Sequence, residues 1–166
     1  MTTAVDRGST NTTTVYTEGA ELVMERVFDA PRELVWTAMT DPERIPRWWG
    51  PRDTTMTVVE MDVRVGGRWR WVTRTSGGED AAFTGVYLEV VPPERMVRTE
   101  MFDVEPFNLG EPAVETMTLE DLGGRTRLVS RSRFPSAEIL EGALSTGMVG
   151  GAIETWDRLA ELLAEG

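Results

Sequence analysis

The chain has 166 residues, 40% of them hydrophobic, and a formal net charge of -11. This length and composition are typical of one globular domain, and the acidic excess repels nucleic-acid phosphates and anionic lipids. Cysteine and histidine are absent, which excludes disulfides, thiolate nucleophiles and the commonest general base and metal ligand. We therefore expect no nucleic-acid partner, no membrane partner and no metal site.

All 17 basic residues are arginine. Without a lysine the chain has no side-chain amine for Schiff-base chemistry or for pyridoxal phosphate, and we expect no cofactor. Acid–base chemistry would depend on carboxylates, on Tyr16 and Tyr87, or on bound water. No apolar run reaches about 18 residues, and the first residues lack the pattern of a signal peptide, so we expect a cytoplasmic protein.

The N-terminal residues 1–12 are rich in Thr, Ser, Gly and Asn, which predicts a flexible tail before a single domain over residues 13–166. The stretch TTTVYT, which begins at Thr12, either adds a short strand or packs as an extended arm. Alternating β-type residues then predict a strand over residues 20–28.

Two short helices are predicted between residues 29 and 51, where Asp29 and Asp41 are suitable caps and prolines limit helix length. The C-terminal part is also helical, with a break near Ser145–Gly147 and a long amphipathic helix to about Ala164. Between these helical parts lie six consecutive strands, which short connections arrange as an antiparallel meander: residues 54–65, 68–75, 81–91, 95–102, 113–121 and 125–134.

This order of elements predicts an α+β fold. A sheet made of one strand and a six-strand meander needs cover for its apolar face, and only the long C-terminal helix is large enough to provide it. We expect the sheet to curl around this helix and the two short helices to close one end. The exposed edge of such a sheet would also allow a homodimer.

Four segments carry a resemblance to a known family: RVFDAPRELVWTAMTDPERIPRWWGP, GGRWRW, FTGVYLEVVPPERMV and GMVGGAIETWDRLAELL. Together they resemble the branch named after the activator of Hsp90 ATPase, in its bacterial stand-alone form. This branch belongs to the START, polyketide cyclase and birch-pollen-allergen superfamily, called SRPBCC. The resemblance runs from about Ala20 to Gly166. It implies a helix-grip fold with a cavity suited to a small apolar or aromatic ligand.

Side-chain polarity predicts the lining of that cavity. The strand at residues 125–134 has four arginines on one face, so Ser130 and Ser132 point inward. Their hydroxyls need partners, which are either ligand or water in a cavity or the nearby backbone. The inward rings and thioethers form either a ligand pocket or an ordinary core. We predict a lining of Trp49, Trp69, Trp71, Phe83, Tyr87, Met101, Met117, Ser130, Ser132, Met148 and Trp156.

Three residues are weak candidates for catalysis, namely Glu89, Glu100 and Tyr87. A carboxylate in an apolar pocket has a raised pKa and can transfer protons. The same glutamates also suit salt bridges at strand ends with Arg68, Arg70 or Arg98. Gly85 lies between Phe83 and Tyr87 and leaves room for the helix or a ligand.

Three functions therefore remain open. The first is the binding of a small hydrophobic or aromatic ligand, with an undefined physiological role. The second is a cyclase-, aromatase- or hydrolase-like enzyme that uses carboxylate or tyrosine acid–base chemistry. The third is an interaction module, such as a chaperone partner or a regulator. The basic segment through which the eukaryotic activator stimulates its chaperone is rich in lysine, and this sequence has none.

The segment IPRWWGP, residues 45–51, places two tryptophans side by side. Adjacent residues of a helical turn point about 100° apart, so the two rings cannot have the same role. We predict that Trp48 packs as a structural plug and that Trp49 lies at the cavity entrance.

Overall fold

The computed structural model describes residues 3–165, in which nine strands form one antiparallel sheet beside three α-helices and a 3-10 turn. The strands are β1 (Val5–Asp6), β2 (Thr14–Glu18), β3 (Glu21–Phe28), β4 (Thr54–Met61), β5 (Arg68–Thr75), β6 (Asp80–Val91), β7 (Arg95–Phe102), β8 (Ala113–Asp121) and β9 (Thr126–Arg133). The helices are α1 (Arg32–Thr40), α2 (Ala137–Leu144) and α3 (Met148–Ala164), and the 3-10 turn is Ile45–Arg47.

The strand order across the sheet is β1-β2-β3-β9-β8-β7-β6-β5-β4. Each strand from β4 to β9 therefore pairs with the next one in the chain, as the predicted meander requires. The bounds of β5, β7 and β8 match the predicted ones because alternation and turn residues define both of their ends. The pairing of β3 with β9 joins the N-terminal strands to the end of the meander.

Residues 1–12 were predicted to form a flexible tail, and the described part of this segment contains a short strand. Val5–Asp6 forms β1 and pairs with Tyr16 and Thr17 of β2, the strand formed by the TTTVYT stretch. Arg7 then donates from Nε to Oγ1 of Thr17 at 2.9 Å and forms an ion pair with Glu141 of α2. These contacts are polar or made by the backbone. The tail was predicted from the low hydrophobicity of the segment, which gives no information about such contacts.

The region between β3 and β4 contains less helix than predicted. Only α1 is an α-helix there, and the second predicted helix is the 3-10 turn Ile45–Arg47, which contains Pro46. The predicted caps are also wrong, because α1 follows Pro31 with no side-chain cap. Asp41 instead ends α1 and accepts a hydrogen bond from the backbone N–H of Glu43 at 2.9 Å.

The core lies between the sheet and α3. One face of α3 is buried through Trp156, Leu159 and Leu162, and the Trp156 ring packs edge-on against Phe28 of β3 at 5.9 Å. The break before α3 falls at residues 145–147, as predicted, and Gly147 has a φ of 83° that favours glycine. No helix within the described residues has both the length and the apolar character needed to cross a bilayer.

Candidate functional site

Two adjoining cavities lie between the sheet and α3. The inner chamber has a volume of about 270 Å³ and reaches core residues such as Leu22 and Leu128. The outer chamber has a volume of about 380 Å³ and includes the exposed side chains of Phe107 and Ile139. The walls of both chambers contain Pro51, Phe83, Glu100, Ser132, Met148 and Gly151.

The α3 wall of the chambers is made by residues at helical spacing. Met148, Gly151, Ala152, Thr155 and Trp156 line the inner chamber. Gly151 matters because it contributes no side chain, and a Cβ atom added there would meet only Cγ of Pro51, at 3.5 Å. A large side chain at this position would therefore occupy chamber space.

The two adjacent tryptophans have different environments. Trp48 is buried and donates from Nε1 to the carbonyl of Ala38 in α1 at 2.9 Å. Trp49 is half-buried, lines the inner chamber, and packs edge-on against Trp71 and Phe83 with ring centroids 5.0 and 4.9 Å away. Trp48 was predicted as a structural plug and Trp49 as an entrance residue, and both contribute to the inner wall.

The turn that carries Trp49 is attached to α3. Arg158 donates from Nη1 to the carbonyl of Gly50 at 2.8 Å, and Arg52 forms an ion pair with Glu161. Arg47 pairs with Glu165 at 2.7 Å near the end of the same helix. These contacts hold the entrance segment against the helix, so the Trp49 ring has a defined position at the chamber wall.

A buried polar group forms part of the inner wall. Arg98 of β7 and Glu115 of β8 form an ion pair at 3.0 Å, and the Ser130 hydroxyl of β9 donates to the other Glu115 oxygen at 2.8 Å. Burial alone would lower the pKa of Arg98, but the Glu115 carboxylate raises it above its ordinary value. The guanidinium also lies 4.5 Å from the ring centroid of Trp69 and 5.0 Å from that of Trp71.

Glu100 lines both chambers and is half-buried. Burial is the main cause that raises the pKa of its carboxyl, to about 7, and the charge of Glu115 adds to it. Arg98 opposes this rise, but its guanidinium is already engaged by Glu115. A carboxyl of this kind can exchange a proton near neutral pH.

The other two catalytic candidates are elsewhere. Glu89 was predicted on the same face as Phe83 and Tyr87, but the pairing register shifts between Tyr87 and Glu89. This irregularity turns Glu89 to the surface, where it pairs with Arg95 at 3.0 Å. Tyr87 is fully buried in the core, and burial raises the pKa of its phenol. It is therefore unsuited to act as a phenolate base at neutral pH.

Three predicted lining residues are core residues instead. Trp69, Trp71 and Tyr87 are at most 2% exposed and lie outside both chamber walls. They pack behind the wall, and the Trp69 indole donates to the carbonyl of Thr99 at 3.2 Å. Gly85 makes room for this indole and not for a ligand, because an added Cβ would lie 2.4 Å from Nε1 of Trp69.

The remaining predicted lining residues are in the chamber walls. Ser130 bonds to a carboxylate and not to the backbone. Met101 lines only the outer chamber. The inner wall contains Trp49, Phe83, Met117, Ser130, Ser132, Met148 and Trp156.

Sequence reasoning missed four wall residues that matter for the chemistry of the site, namely Arg98, Phe102, Phe107 and Glu115. Strand alternation contained the signal for Glu115, which lies two residues before Met117, and for Phe102, which lies two after Glu100. The arginines of alternating strands were expected to point to solvent, whereas Arg98 points inward because Glu115 faces it and balances its charge.

The fold and the site define an α+β protein with an open cavity between an antiparallel sheet and a long C-terminal helix, an arrangement consistent with the helix-grip fold. The family model described as "Activator of Hsp90 ATPase homolog 1-like protein" matches residues 29–164. The chain belongs to this family, which confirms the resemblance found in the sequence. No curated protein gives a significant match.

Several solved structures are similar to the chain over most of its length. Protein Ms6760 from Mycobacterium smegmatis is 28% identical, with 87% of this chain and 90% of that chain covered and a TM-score of 0.78. Protein CV1439 from Chromobacterium violaceum is 29% identical, with coverage of 86% and 96% and a TM-score of 0.73. A protein from Rhodobacter sphaeroides is 25% identical, with coverage of 88% and 93% and a TM-score of 0.79.

Proposed function

We propose that the protein binds a small hydrophobic or aromatic molecule in the inner and outer chambers, with the sheet and α3 acting as a helix grip. One observation carries this proposal, namely two adjoining cavities of about 270 and 380 Å³ with walls rich in rings and thioethers. Their combined size lies within the usual range of small-molecule pockets, roughly 300–1,000 Å³. Such walls favour apolar ligands, and the few polar groups in them fix orientation.

The test uses N-phenylnaphthylamine, a neutral apolar dye whose fluorescence rises when it leaves water. Gly151→Leu places a side chain into both chambers, and we expect it to weaken dye binding by about tenfold or more, because the ligand and the new side chain compete for space. Gly150→Leu is the matched control, since Gly150 is the preceding residue of α3 and is exposed. It makes the same change in helix propensity without filling a chamber.

The expected result is dye binding by the wild type and by Gly150→Leu, with loss only in Gly151→Leu. Equal binding by the two leucine variants would place the dye on the surface and contradict the proposal. Circular dichroism melting of all three proteins separates loss of binding from loss of folding.

A second function, proton transfer to or from a bound substrate, is supported by one observation. The Glu100 carboxyl has a pKa of about 7 and faces both chambers. A general acid or base is most effective when its pKa lies near the working pH. For a molecule found to bind, mass spectrometry after incubation would detect conversion. For a neutral molecule, Glu100→Gln should retain binding but stop conversion, whereas unchanged conversion would exclude this role.

A further inference from the structure

The charge of the chambers is unbalanced. The charged residues that line them within residues 3–165 are Arg98, Glu100, Glu111 and Glu115. Arg98 is the one cation of this set, and its Nε is bound by Glu115 at 3.0 Å. The Glu100 carboxylate takes part in no ion pair or side-chain hydrogen bond among the described residues. The free charge at the junction of the chambers is therefore negative.

Glu100 has aromatic neighbours on its own face of the sheet. It lies two residues before Phe102 on β7, so strand alternation points both side chains to the same side. Phe102 stacks on Phe83 at 5.1 Å and lies 5.5 Å from Phe107, and Phe83 contacts Trp49 at 4.9 Å. Aromatic faces attract cations and repel anions, so these rings and the carboxylate favour the same ligand charge.

We propose that the chambers select an apolar molecule that carries an ammonium group, which the Glu100 carboxylate binds while the apolar body lies among the aromatic rings. This inference rests on the proposed function and adds the ligand class to it. An equally apolar molecule with a carboxylate is rejected, because it meets the carboxylates of Glu100 and Glu111, and the charge of Arg98, the one cation among the described lining residues, is balanced by Glu115. A neutral alcohol of the same shape should bind with an affinity between those of the amine and the carboxylate, since it donates a hydrogen bond to Glu100 but carries no charge.

Glu115 does not provide this anchor. One of its oxygens accepts from Arg98 and the other from Ser130, so both are occupied by protein donors. Glu111 lines only the outer chamber. Its side chain is exposed, so water screens its charge. Glu100 is therefore the carboxylate that combines partial burial, access to both chambers and a free acceptor.

The experiment compares three probes with the same aromatic body: naphthylethylamine, naphthylethanol and naphthylacetate. Isothermal titration calorimetry at about pH 8 keeps the amine charged and Glu100 mostly ionised. We expect the wild type to bind the amine about tenfold or more tightly than the acetate. Glu100→Gln should weaken amine binding by about tenfold and change alcohol binding by less than about threefold, since it removes charge but little shape.

Two further variants make the comparison specific. Glu89→Gln removes the same charge at the surface of β6, and we expect it to bind all three probes as the wild type does. Glu100→Asp keeps the charge on a shorter side chain and should retain a preference for the amine over the acetate. Circular dichroism melting confirms that each variant is folded.

The outcomes separate this inference from the proposed function. If the probes bind but the acetate binds as tightly as the amine, or Glu100→Gln keeps the amine preference, the inference is overturned and the cavity remains a ligand site. If none of the three probes binds the wild type, and the neutral dye does not bind either, the proposed function fails and the inference fails with it.

Discussion

Arg98 and Glu115 form an ion pair inside the protein, with Nε of Arg98 3.0 Å from Oε1 of Glu115 and side chains that are 6% and 13% exposed. The pair joins β7 to β8 and is extended by the Ser130 hydroxyl of β9. The Arg98 guanidinium lies over the rings of Trp69 and Trp71, and each of the two buried charges depends on the other to offset its lost hydration.

Removing one partner should leave an uncompensated buried charge. We expect Glu115→Leu to lower the free energy of unfolding by about 3–5 kcal/mol, as for other broken buried pairs. Urea denaturation measures this loss. In the double variant Arg98→Met with Glu115→Leu, more than half of the loss should be recovered, since neither charge remains. A single variant as stable as the wild type would mean that water solvates Arg98.

The raised pKa of Glu100 predicts a pH dependence of stability. In the folded state the pKa of the Glu100 carboxyl is about 7, whereas the ordinary pKa of a glutamate carboxyl is 4.5. The folded state therefore binds more protons between these values, and its stability decreases as the pH rises from 4.5 to about 7. The effect is roughly 1–3 kcal/mol, because Glu100 is only half-buried and water in the chambers screens it.

Glu100→Gln should remove this dependence. We expect the variant to be as stable as the wild type at about pH 4.5 and more stable above about pH 7, where the wild type contains an ionised carboxylate. Thermal melts across this range provide the measurement, and Glu89→Gln is the control for a surface carboxylate. Parallel pH profiles of wild type and Glu100→Gln would show that Glu100 is well hydrated.

The two tryptophans of IPRWWGP should respond differently to the same substitution. Trp48→Phe leaves the Ala38 carbonyl without its donor in a buried position, which should lower the free energy of unfolding by about 1–3 kcal/mol. Trp49→Phe should have a smaller effect on stability but a larger effect on dye binding, because this ring lines the inner chamber. Denaturation and dye titration of both variants test the contrast, and a reversed order would contradict it.

Gly85 should not tolerate a side chain. An added Cβ would lie 1.9 Å from the carbonyl oxygen of Thr99, which is backbone and cannot move without disturbing β7. We expect Gly85→Ala to lower the free energy of unfolding by at least about 1–3 kcal/mol. Gly142→Ala provides the comparison, since it is exposed in α2 with open space around it and should gain roughly 0.5–1 kcal/mol.

Local sequence patterns were sufficient for much of the fold. Alternation together with turn glycines or prolines set the bounds of β5, β7 and β8, and the glycines around residue 147 marked the start of α3. Local patterns predicted the structure less well where a segment is ordered by its pairing with another part of the chain. The strand β1 has little apolar surface and forms because β2 offers it an edge, and the second predicted helix was shortened to a 3-10 turn around Pro46.

The candidate site was only partly accessible from sequence. Alternation assigns a side chain to a face of a strand, but it does not say whether open space or solid core lies beyond that face. Trp49 and Trp71 were both predicted to line the cavity, yet Trp49 lines a chamber and Trp71 lies behind its wall. The register shift in β6 likewise moved Glu89 to the surface, and no local pattern marked it.

The sequence by itself determined the order of elements, the family, and the chemistry that is excluded by the absence of Cys, His and Lys. These properties depend on composition and on patterns within single segments. Only the tertiary structure decided that Arg98 faces Glu115, that Glu100 remains without a partner among the described residues, and that two chambers meet beside it. These relationships join strands and a helix that are distant in sequence, and they depend on pairing register and on how α3 packs against the sheet.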